Sequence, residues 1–314
     1  MEKTVTTVLG HVAPEELGIT DAHNHLWISK QELEIDGLPV LDQEDRIVEE
    51  LQEYKQSGGG SQVDCQPGGA GRDGNELVRI SEASGVHVIA CTGYHLKEYY
   101  PIQNKIWSMN LDQAARYFLQ EVNQGLEETR NSKPVYPGFI KIAAQETLKK
   151  SPKQLIEAAV IASNKTGLLI EMHTEKGSSI EDHVKFIAGL NLAPDRLVLC
   201  HIDKRPDPGL HKELCQAGFL LEYDTFFRPK YKPEVNLWPL LQEMVEGGYA
   251  DSIALATDQA DSGMWKFTGE GPGLAGFPAI VKDRLEEEFQ DQKIVEKLMG
   301  GNIAHRLIKT EGEY

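Results

Sequence analysis

The chain has 314 residues, 40% of them hydrophobic, and a formal net charge of −17 at pH 7. This length allows one large domain with a sizeable core, while the negative charge would repel a polyanion and so argues against nucleic acid as a partner. No apolar run reaches the roughly 18 residues that a membrane span needs, and the first residues lack a signal-peptide pattern, so we expect a cytoplasmic protein with no membrane partner.

Short apolar runs recur along the chain between longer stretches of helical periodicity. This is the pattern of β/α units that build a parallel sheet. No interdomain linker or internal repeat interrupts it, so residues 1–314 are predicted to form a single domain. We mark eight strands, at 19–23, 61–65, 86–91, 139–143, 168–173, 197–201, 219–224 and 252–258.

The helix before the fifth predicted strand shows clear boundary signals. Ser151 can cap it, Pro152 fits its first turn, and Gly167 ends it. Gly85 and Gly218 precede other strands in the same way, as glycines at helix C-termini do. Such alternation suits both a closed (β/α)8 TIM barrel and a doubly wound open sheet, so periodicity alone leaves both folds open.

The four cysteines lie far apart and form no CxxC pair. Their spacing indicates neither a zinc knuckle nor a disulfide framework. We therefore expect buried thiols in a reducing compartment, at Cys65, Cys91, Cys200 and Cys215.

Ionisable residues collect at or near the carboxyl ends of the predicted strands. Those ends meet at one mouth in a closed barrel, whereas the first and last strands of an open sheet lie far apart, so the clustering favours an α/β fold with a single (β/α)8 TIM barrel. The residues are His23 and His25 on the first strand, Lys141 on the fourth, His173 on the fifth, His201 on the sixth and Asp258 on the eighth.

Each of these residues alone has an ordinary structural explanation. A strand-end histidine is often satisfied by the backbone, a strand lysine often forms an ion pair, and Asp258 alone would cap a turn. Together they predict a centre for divalent ions, since His-x-His in an extended segment places both imidazoles on one face. A charged lysine would repel a metal ion, so Lys141 can be a ligand only in another form. If desolvation and nearby positive charge keep its amine neutral, the amine can add carbon dioxide and become an anionic carbamate.

The same residues lie in stretches that resemble the phosphotriesterase family of the amidohydrolase superfamily, over nearly the whole chain. The chain departs from the family at Asn24, where Glu is usual, and at Ile303-Ala304-His305, where Pro-Ala-Arg is usual. The matching stretches are GITDAHNHL at 18–26, GAGRD at 69–73, CTGYH at 91–95, GFIKI at 138–142, EMHT at 171–174, HIDKRPD at 201–207, ATD at 256–258 and GNIAH at 301–305.

The resemblance implies two divalent ions per chain, with zinc as the first expectation and manganese, cobalt or iron also suited to these ligands. It implies a hydroxide shared by the ions as the nucleophile, and Asp258 as the group that accepts its proton and passes it on. The implied ligands are His23, His25 and Asp258 for the more buried ion, His173 and His201 for the more exposed ion, and carboxylated Lys141 as the bridge.

A small-molecule substrate is expected, and the sequence favours an anionic one. Lys204, Arg228 and Tyr231 follow the sixth and seventh strands and could clamp a phosphate, or they could lie on a solvated basic loop. Tyr94 or His95 could donate a hydrogen bond to the substrate. The leading hypothesis is a lactonase acting on a phosphorylated sugar lactone. The alternatives are a phosphotriesterase or a hydrolase of uncharged or acyl-homoserine lactones, and, from another class, a barrel that binds small molecules without catalysis.

The stretch 261–278 is long for a connection and rich in glycine and proline. Such a loop after the last strand is often a lid or a pocket wall. It would equally suit a contact in a homo-oligomer, and the sequence does not choose between these roles.

Overall fold

The structure is a computed structural model and describes residues 3–310. A two-stranded antiparallel hairpin precedes eight parallel strands, which follow one another in chain order around a nearly closed barrel. All eight predicted strands are confirmed, although individual ends differ by up to three residues. The hairpin is β1 (Val5–Thr7) and β2 (Gly10–Val12), and the barrel strands are β3 (Ile19–Asn24), β4 (Gly59–Asp64), β5 (His87–Gly93), β6 (Phe139–Ala143), β7 (Leu169–His173), β8 (Leu197–Cys200), β9 (Leu220–Tyr223) and β10 (Ile253–Leu255).

Helices surround the barrel, and within residues 3–310 no helix is long and apolar enough to cross a membrane. The α-helices are α1 (Glu44–Gln56), α2 (Gly74–Ser84), α3 (Leu111–Gln124), α4 (Lys153–Thr166), α5 (Ile180–Ala188), α6 (Pro208–Gln216), α7 (Leu237–Glu246), α8 (Lys282–Phe289), α9 (Gln292–Glu296) and α10 (Asn302–Arg306). Segments Phe277–Val281 and Lys297–Gly301 are π-helical. Short 3-10 turns lie at Pro14–Leu17, Lys97–Tyr99, Lys105–Ser108, Glu127–Thr129, Pro194–Arg196, Ile202–Lys204, Pro229–Tyr231, Ala250–Ser252 and Ser262–Met264.

The start of α4 differs from the prediction. The N-cap is Pro152 rather than Ser151, and no side chain caps the helix. The prediction of a Ser151 cap is wrong because its hydroxyl is engaged elsewhere: it accepts from the Gln145 N–H at 2.9 Å and lies 2.8 Å from His183 Nε2. The end of the helix is confirmed, since Gly167 adopts the left-handed conformation that glycine favours, with φ 76°.

Two apolar layers hold the barrel together. The larger layer packs the outer face of the strands against the helices. The smaller fills the barrel interior and its lower end, and three of the four cysteines belong to it, so the prediction of buried free thiols is confirmed. The interior residues are Val5, Leu17, Ala22, Val63, Cys65, Ile89, Cys91, Phe139, Leu169, Val198, Cys200, Leu220, Ala254, Ala256, Ile303, Ala304 and Leu307.

Side chains close the seam between β3 and the segment after β10. Thr257 donates to the Asp21 carboxylate from its backbone N–H at 3.0 Å and from its hydroxyl at 2.5 Å. The Asn24 amide donates to Asp21 Oδ2 at 3.2 Å and to Thr257 Oγ1 at 3.3 Å. The Asp258 N–H donates to the His23 carbonyl at 2.9 Å. Asn24 therefore helps to join the first and last barrel strands at the mouth through its hydrogen bonds to Asp21 and Thr257.

Candidate metal centre

One group of predicted ligands collects around the end of β3. His23 lies within the strand and His25 follows it, and their ring centroids are 5.6 Å apart. Ligand atoms of His23, His25 and Asp258 all lie within 4.8 Å of one another. Lys141, fully buried on β6, places Nζ 3.1 Å from His23 Nε2. These four side chains, which come from three different strands or their ends, therefore meet in one place.

The other two predicted ligands adjoin this group. His173 ends β7 and His201 directly follows β8, with their ring centroids 4.7 Å apart. The His201 ring is also 4.7 Å from the His23 ring. His201, Asp224 and Asp258 form a second group of ligand atoms within 4.8 Å. The structure thus brings all six predicted metal ligands together at the C-terminal mouth of the barrel.

Two of these residues have an unusual backbone conformation. His201 has φ 62° and Asp258 has φ 48°, in the left-handed region where residues other than glycine are uncommon. Holding such a residue there costs about 1–3 kcal/mol and persists where the surroundings impose it, often at functional sites. Both residues turn the chain immediately after a strand, where their side chains join the other ligands.

Gln66 determines which nitrogen of His25 faces the centre. Its amide nitrogen donates to the Ala70 carbonyl, so its oxygen is the atom that meets His25 Nδ1, at 2.6 Å. That oxygen only accepts, so Nδ1 carries the proton and Nε2 keeps its lone pair. Nε2 lies 3.8 Å from Asp258 Oδ1, within the ligand group. An acceptor on the far nitrogen of a histidine is the usual support for a metal ligand.

We expect Gln66→Leu to weaken divalent-ion binding by about 10-fold or more, because His25 loses the acceptor that fixes its tautomer and ring orientation. Leucine has a similar size and no charge, so the change isolates this contact. Competition with a chelator of known affinity measures the dissociation constant. Gln66→Glu keeps an acceptor oxygen and should bind the ions nearly as tightly as the wild type, whereas equal weakening by both variants would mean that packing, not the hydrogen bond, matters.

Acidic side chains that the sequence analysis missed lie beside Lys141. Burial lowers the pKa of Lys141, but Cys65, Cys200, Glu171 and Glu222 raise it, and the net shift is upward. These four acids and thiols therefore do not supply the nearby positive charge that was expected to keep the Lys141 amine neutral. Bound divalent ions are the positive charge that would favour the neutral amine.

The sequence contains a pattern from which Glu171 and Glu222 could have been found. Glu171 lies two residues before His173, and Glu222 two residues before Asp224, each within an otherwise apolar strand. Residues two apart share one face of a strand, so each pair points to the same side. His201 Nδ1 makes a short hydrogen bond to Asp224 Oδ2, and His23 Nδ1 lies 2.9 Å from Glu222 Oε1.

The donor atoms fit divalent cations. Imidazole nitrogens and carboxylate oxygens are the ligands that zinc and similar ions take in proteins. Several are buried without a hydrogen-bond partner, among them His173 Nε2 and Asp224 Oδ1. A buried polar atom without a partner costs about 1–3 kcal/mol, and a bound cation would relieve that cost for those atoms that reach it.

A cavity of about 410 Å³ opens over this centre. His95 lines it, with its ring centroid 5.2 Å from that of His173. Tyr94 does not: it is fully buried and meets Trp107 edge-on at 6.1 Å. Tyr99, which the sequence analysis did not single out, lines the cavity 4.6 Å from the His95 ring. Of the two candidates after β5, only His95 is therefore placed to meet a substrate.

The predicted cationic residues lie beside Asp258. Arg228 lines the cavity and donates from Nη2 to Asp258 Oδ2 at 2.9 Å. Lys204 Nζ is 3.7 Å from Asp258 Oδ2 and 5.5 Å from the centre of the Tyr231 ring. Burial raises the pKa of Asp258, but His201, Arg228 and Lys204 lower it to about 2. Asp258 is therefore ionised at neutral pH, and the three predicted residues lie close together.

The long stretch 261–278 packs firmly against α1. Glu50 of α1 accepts from the Phe267 N–H at 2.7 Å and from the Leu274 N–H at 3.1 Å. Trp265 is fully buried and donates from Nε1 to the Gln259 carbonyl at 2.8 Å. Of this stretch only Asp261 lines the cavity. These contacts indicate that the stretch 261–278 supports the pocket wall from a fixed position and is not a freely moving lid.

Comparison with known proteins agrees with the fold. The model of the phosphotriesterase family matches residues 3–271. A phospho-furanose lactonase from Mycoplasmopsis synoviae is 27% identical over 271 residues, 82% of this chain and 76% of that protein. An aryldialkylphosphatase from Saccharolobus solfataricus is 23% identical over 253 residues, 79% of this chain and 78% of that protein.

Among solved structures, a lactonase from Listeria monocytogenes has the same fold, with a TM-score of 0.90 at 23% identity over 98% of this chain and 100% of that one. The two sequence relatives are both hydrolases of ester bonds by name. The match to the family model extends over most of the chain. The chain therefore belongs to the phosphotriesterase family and is a hydrolase that acts on ester bonds.

Proposed function

We propose that the protein is a lactonase whose substrate carries an anionic group, with a phosphorylated sugar lactone as the leading candidate. The observation that carries the proposal is that Arg228 and Lys204 both lie within 4 Å of Asp258, beside the six candidate ligands. A relative named for phospho-furanose substrates supports the same chemistry. The proposed ligands are His23, His25, Lys141 as its carbamate, His173, His201 and Asp258, with zinc as the first choice of ion.

The protein residues have distinct roles in this proposal. Two bound divalent ions would supply a nucleophile at neutral pH and polarise the scissile bond. Asp258 accepts the proton of the attacking water and passes it to the leaving oxygen. His95 lines the cavity near His173 and can contact the substrate oxygen.

Arg228 retains donors for an anion. A guanidinium has five N–H donors in a planar fork, and here Nη2 bonds to Asp258 while Nε is buried without a partner. Arg228 lines the cavity, and a guanidinium in that position favours a ligand with oxygen acceptors, of which phosphate offers several. Lys204 adds a second positive charge, and the Tyr231 ring lies beside it.

We expect Arg228→Ala to lower kcat/KM for a phosphorylated lactone by about 10- to 100-fold more than for its unphosphorylated counterpart, since a charge-assisted hydrogen bond contributes about 1.5–3 kcal/mol. Arg228 also contacts Asp258, so the ratio between the two substrates is the measurement, because general damage to the centre cancels in it. Equal losses would reject the phosphate clamp and favour the uncharged lactone or phosphotriester. If the purified protein contains no metal and hydrolyses none of these substrates, the result would favour a barrel that binds small molecules without catalysis.

A further inference from the structure

Glu175 lies at the edge of the candidate metal centre and has no role in the proposal above. It follows β7 and stands two positions after His173, the last residue of that strand. The turn that carries it is fixed, because the Thr174 hydroxyl donates to the Cys200 carbonyl at 2.7 Å and accepts from the Gly177 N–H at 3.1 Å. The fold therefore holds the backbone of Glu175 next to His173.

The distance between the two side chains fits a shared cation. Glu175 Oε2 lies 3.6 Å from His173 Nε2, which is too long for a hydrogen bond. Within residues 3–310, His173 Nε2 is buried and has no hydrogen-bond partner. Two ligand atoms of one tetrahedral zinc ion stand about 3.4 Å apart, since each bond is about 2.0–2.2 Å long. The spacing of these two atoms therefore suits one ion that both of them bind.

Other roles for Glu175 agree less well with its position. The side chain is 33% exposed and does not line the cavity, so it is not placed to bind the substrate. A salt bridge to His173 would need a protonated imidazole, whereas histidine binds a metal ion only in its neutral form. When His173 is a ligand, the positive charge that Glu175 faces is therefore that of the ion.

We propose that Glu175 is a further protein ligand of the more exposed ion, next to His173 and His201. The inference rests on the proposed two-ion centre and adds a residue to it. The other proposed ligands of this ion are two neutral imidazoles and a carbamate that it shares. Glu175 would give it an anionic ligand of its own, as Asp258 does for the more buried ion. Glu175 lies outside the compact groups of ligand atoms at the centre, so its partly exposed side chain must rotate to reach the ion.

The test is a titration of metal-stripped, full-length protein with Co²⁺ in the presence of bicarbonate, followed by visible absorption and by competition with a chelator of known affinity. We expect the wild type to bind two ions. Glu175→Gln keeps the size of the side chain and removes its charge. It should weaken one ion by at least about 10-fold, the smallest loss typical even of a residue that only supports a metal ligand. The absorption of that ion should also change, because the ligands around Co²⁺ determine its spectrum.

Asp182→Asn is the matched control, because Asp182 is an exposed acid on α5 and its loss changes the net charge by the same amount. We expect this control to leave both affinities within about twofold, as surface changes usually do. Thermal unfolding of the metal-free variants checks that both proteins fold.

The outcomes separate the ligand from the activity. A specific loss of affinity with a changed Co²⁺ spectrum in Glu175→Gln supports the ligand even if no lactone is hydrolysed, in which case the proposed activity alone fails. Unchanged binding, weakening equal to that of Asp182→Asn, or weaker binding with the wild-type spectrum overturns the Glu175 ligand and leaves the two-ion centre in place. If the wild type binds no ion, the centre and the Glu175 ligand are both wrong.

Discussion

Asp258→Asn is expected to lower kcat by about 10²- to 10⁴-fold, the usual contribution of a positioned proton acceptor. The metal content should fall much less, because the asparagine oxygen can still face the ions. The backbone favours this variant, since Asp258 has φ 48° and asparagine is among the residues that tolerate the left-handed region. The N–H of residue 258 that closes the barrel on the His23 carbonyl is also kept.

Elemental analysis and steady-state kinetics on the same preparation measure both quantities. Asp261→Asn is the matched control, because Asp261 lines the same cavity but its carboxylate only caps a nearby turn, accepting from the Gly263 N–H at 2.9 Å. We expect that control to leave kcat within about twofold, as surface changes usually do. If Asp258→Asn lost activity only in proportion to lost metal, Asp258 would be a ligand without a separate role in proton transfer.

The barrel itself could be predicted because its signals are local and repeat. The run Leu197–Cys200 is apolar throughout and Phe139–Ala143 is apolar except for Lys141, as expected of parallel strands buried on both faces. Gly167 and Gly85 end the preceding helices in the left-handed conformation. The clustering of the six candidate ligands could be predicted for a related reason, since the carboxyl ends of barrel strands share one mouth.

The residues that surround the candidate ligands could not be predicted, because their positions depend on backbone geometry that the sequence does not show. Tyr94 and His95 are adjacent, so they point to different sides, and the sequence did not choose between them. Gly93 has φ 114°, and a Cβ there would lie 1.8 Å from the Lys141 carbonyl oxygen, so only glycine fits this close approach. Tyr94 and His95 follow directly after this turn. The His95 side chain lies at the cavity, whereas the Tyr94 side chain is buried in the core.

Contacts between residues far apart in the sequence could not be predicted either. The contact between Arg228 and Asp258 joins residues 30 positions apart, and the seam between Asp21 and Thr257 joins residues 236 apart. The segment 29–41, between β3 and α1, has no periodic pattern, and its place at the cavity follows from backbone hydrogen bonds that join Leu41 to Ile28 and Ser29 to Gly71. A sequence reports which chemical groups exist, but distant pairings need the folded chain.

Lys141→Met should remove most divalent-ion binding, because methionine fills a similar buried space but cannot become a carbamate. We expect the wild type to hold about two ions per chain and the variant to retain at most a weak one, since the remaining histidines would lack the anionic bridge. Bound ions stabilise the folded state by about 2.7 kcal/mol per site at a hundredfold excess over the dissociation constant. Added metal should therefore raise the melting temperature of the wild type markedly and that of the variant little.

Bicarbonate separates the carbamate from an ordinary lysine. Wild-type protein stripped of metal should regain activity with added ions faster when bicarbonate is present, and Lys141→Met should be indifferent to it. Lys149→Met, at an exposed lysine, is the control for loss of charge alone and should behave like the wild type. The acids around Lys141 raise the pKa of its free amine, and bound ions would favour the neutral amine that adds carbon dioxide. Full metal binding by Lys141→Met, or reactivation that ignores bicarbonate, would contradict the carbamate while leaving the histidine ligands in place.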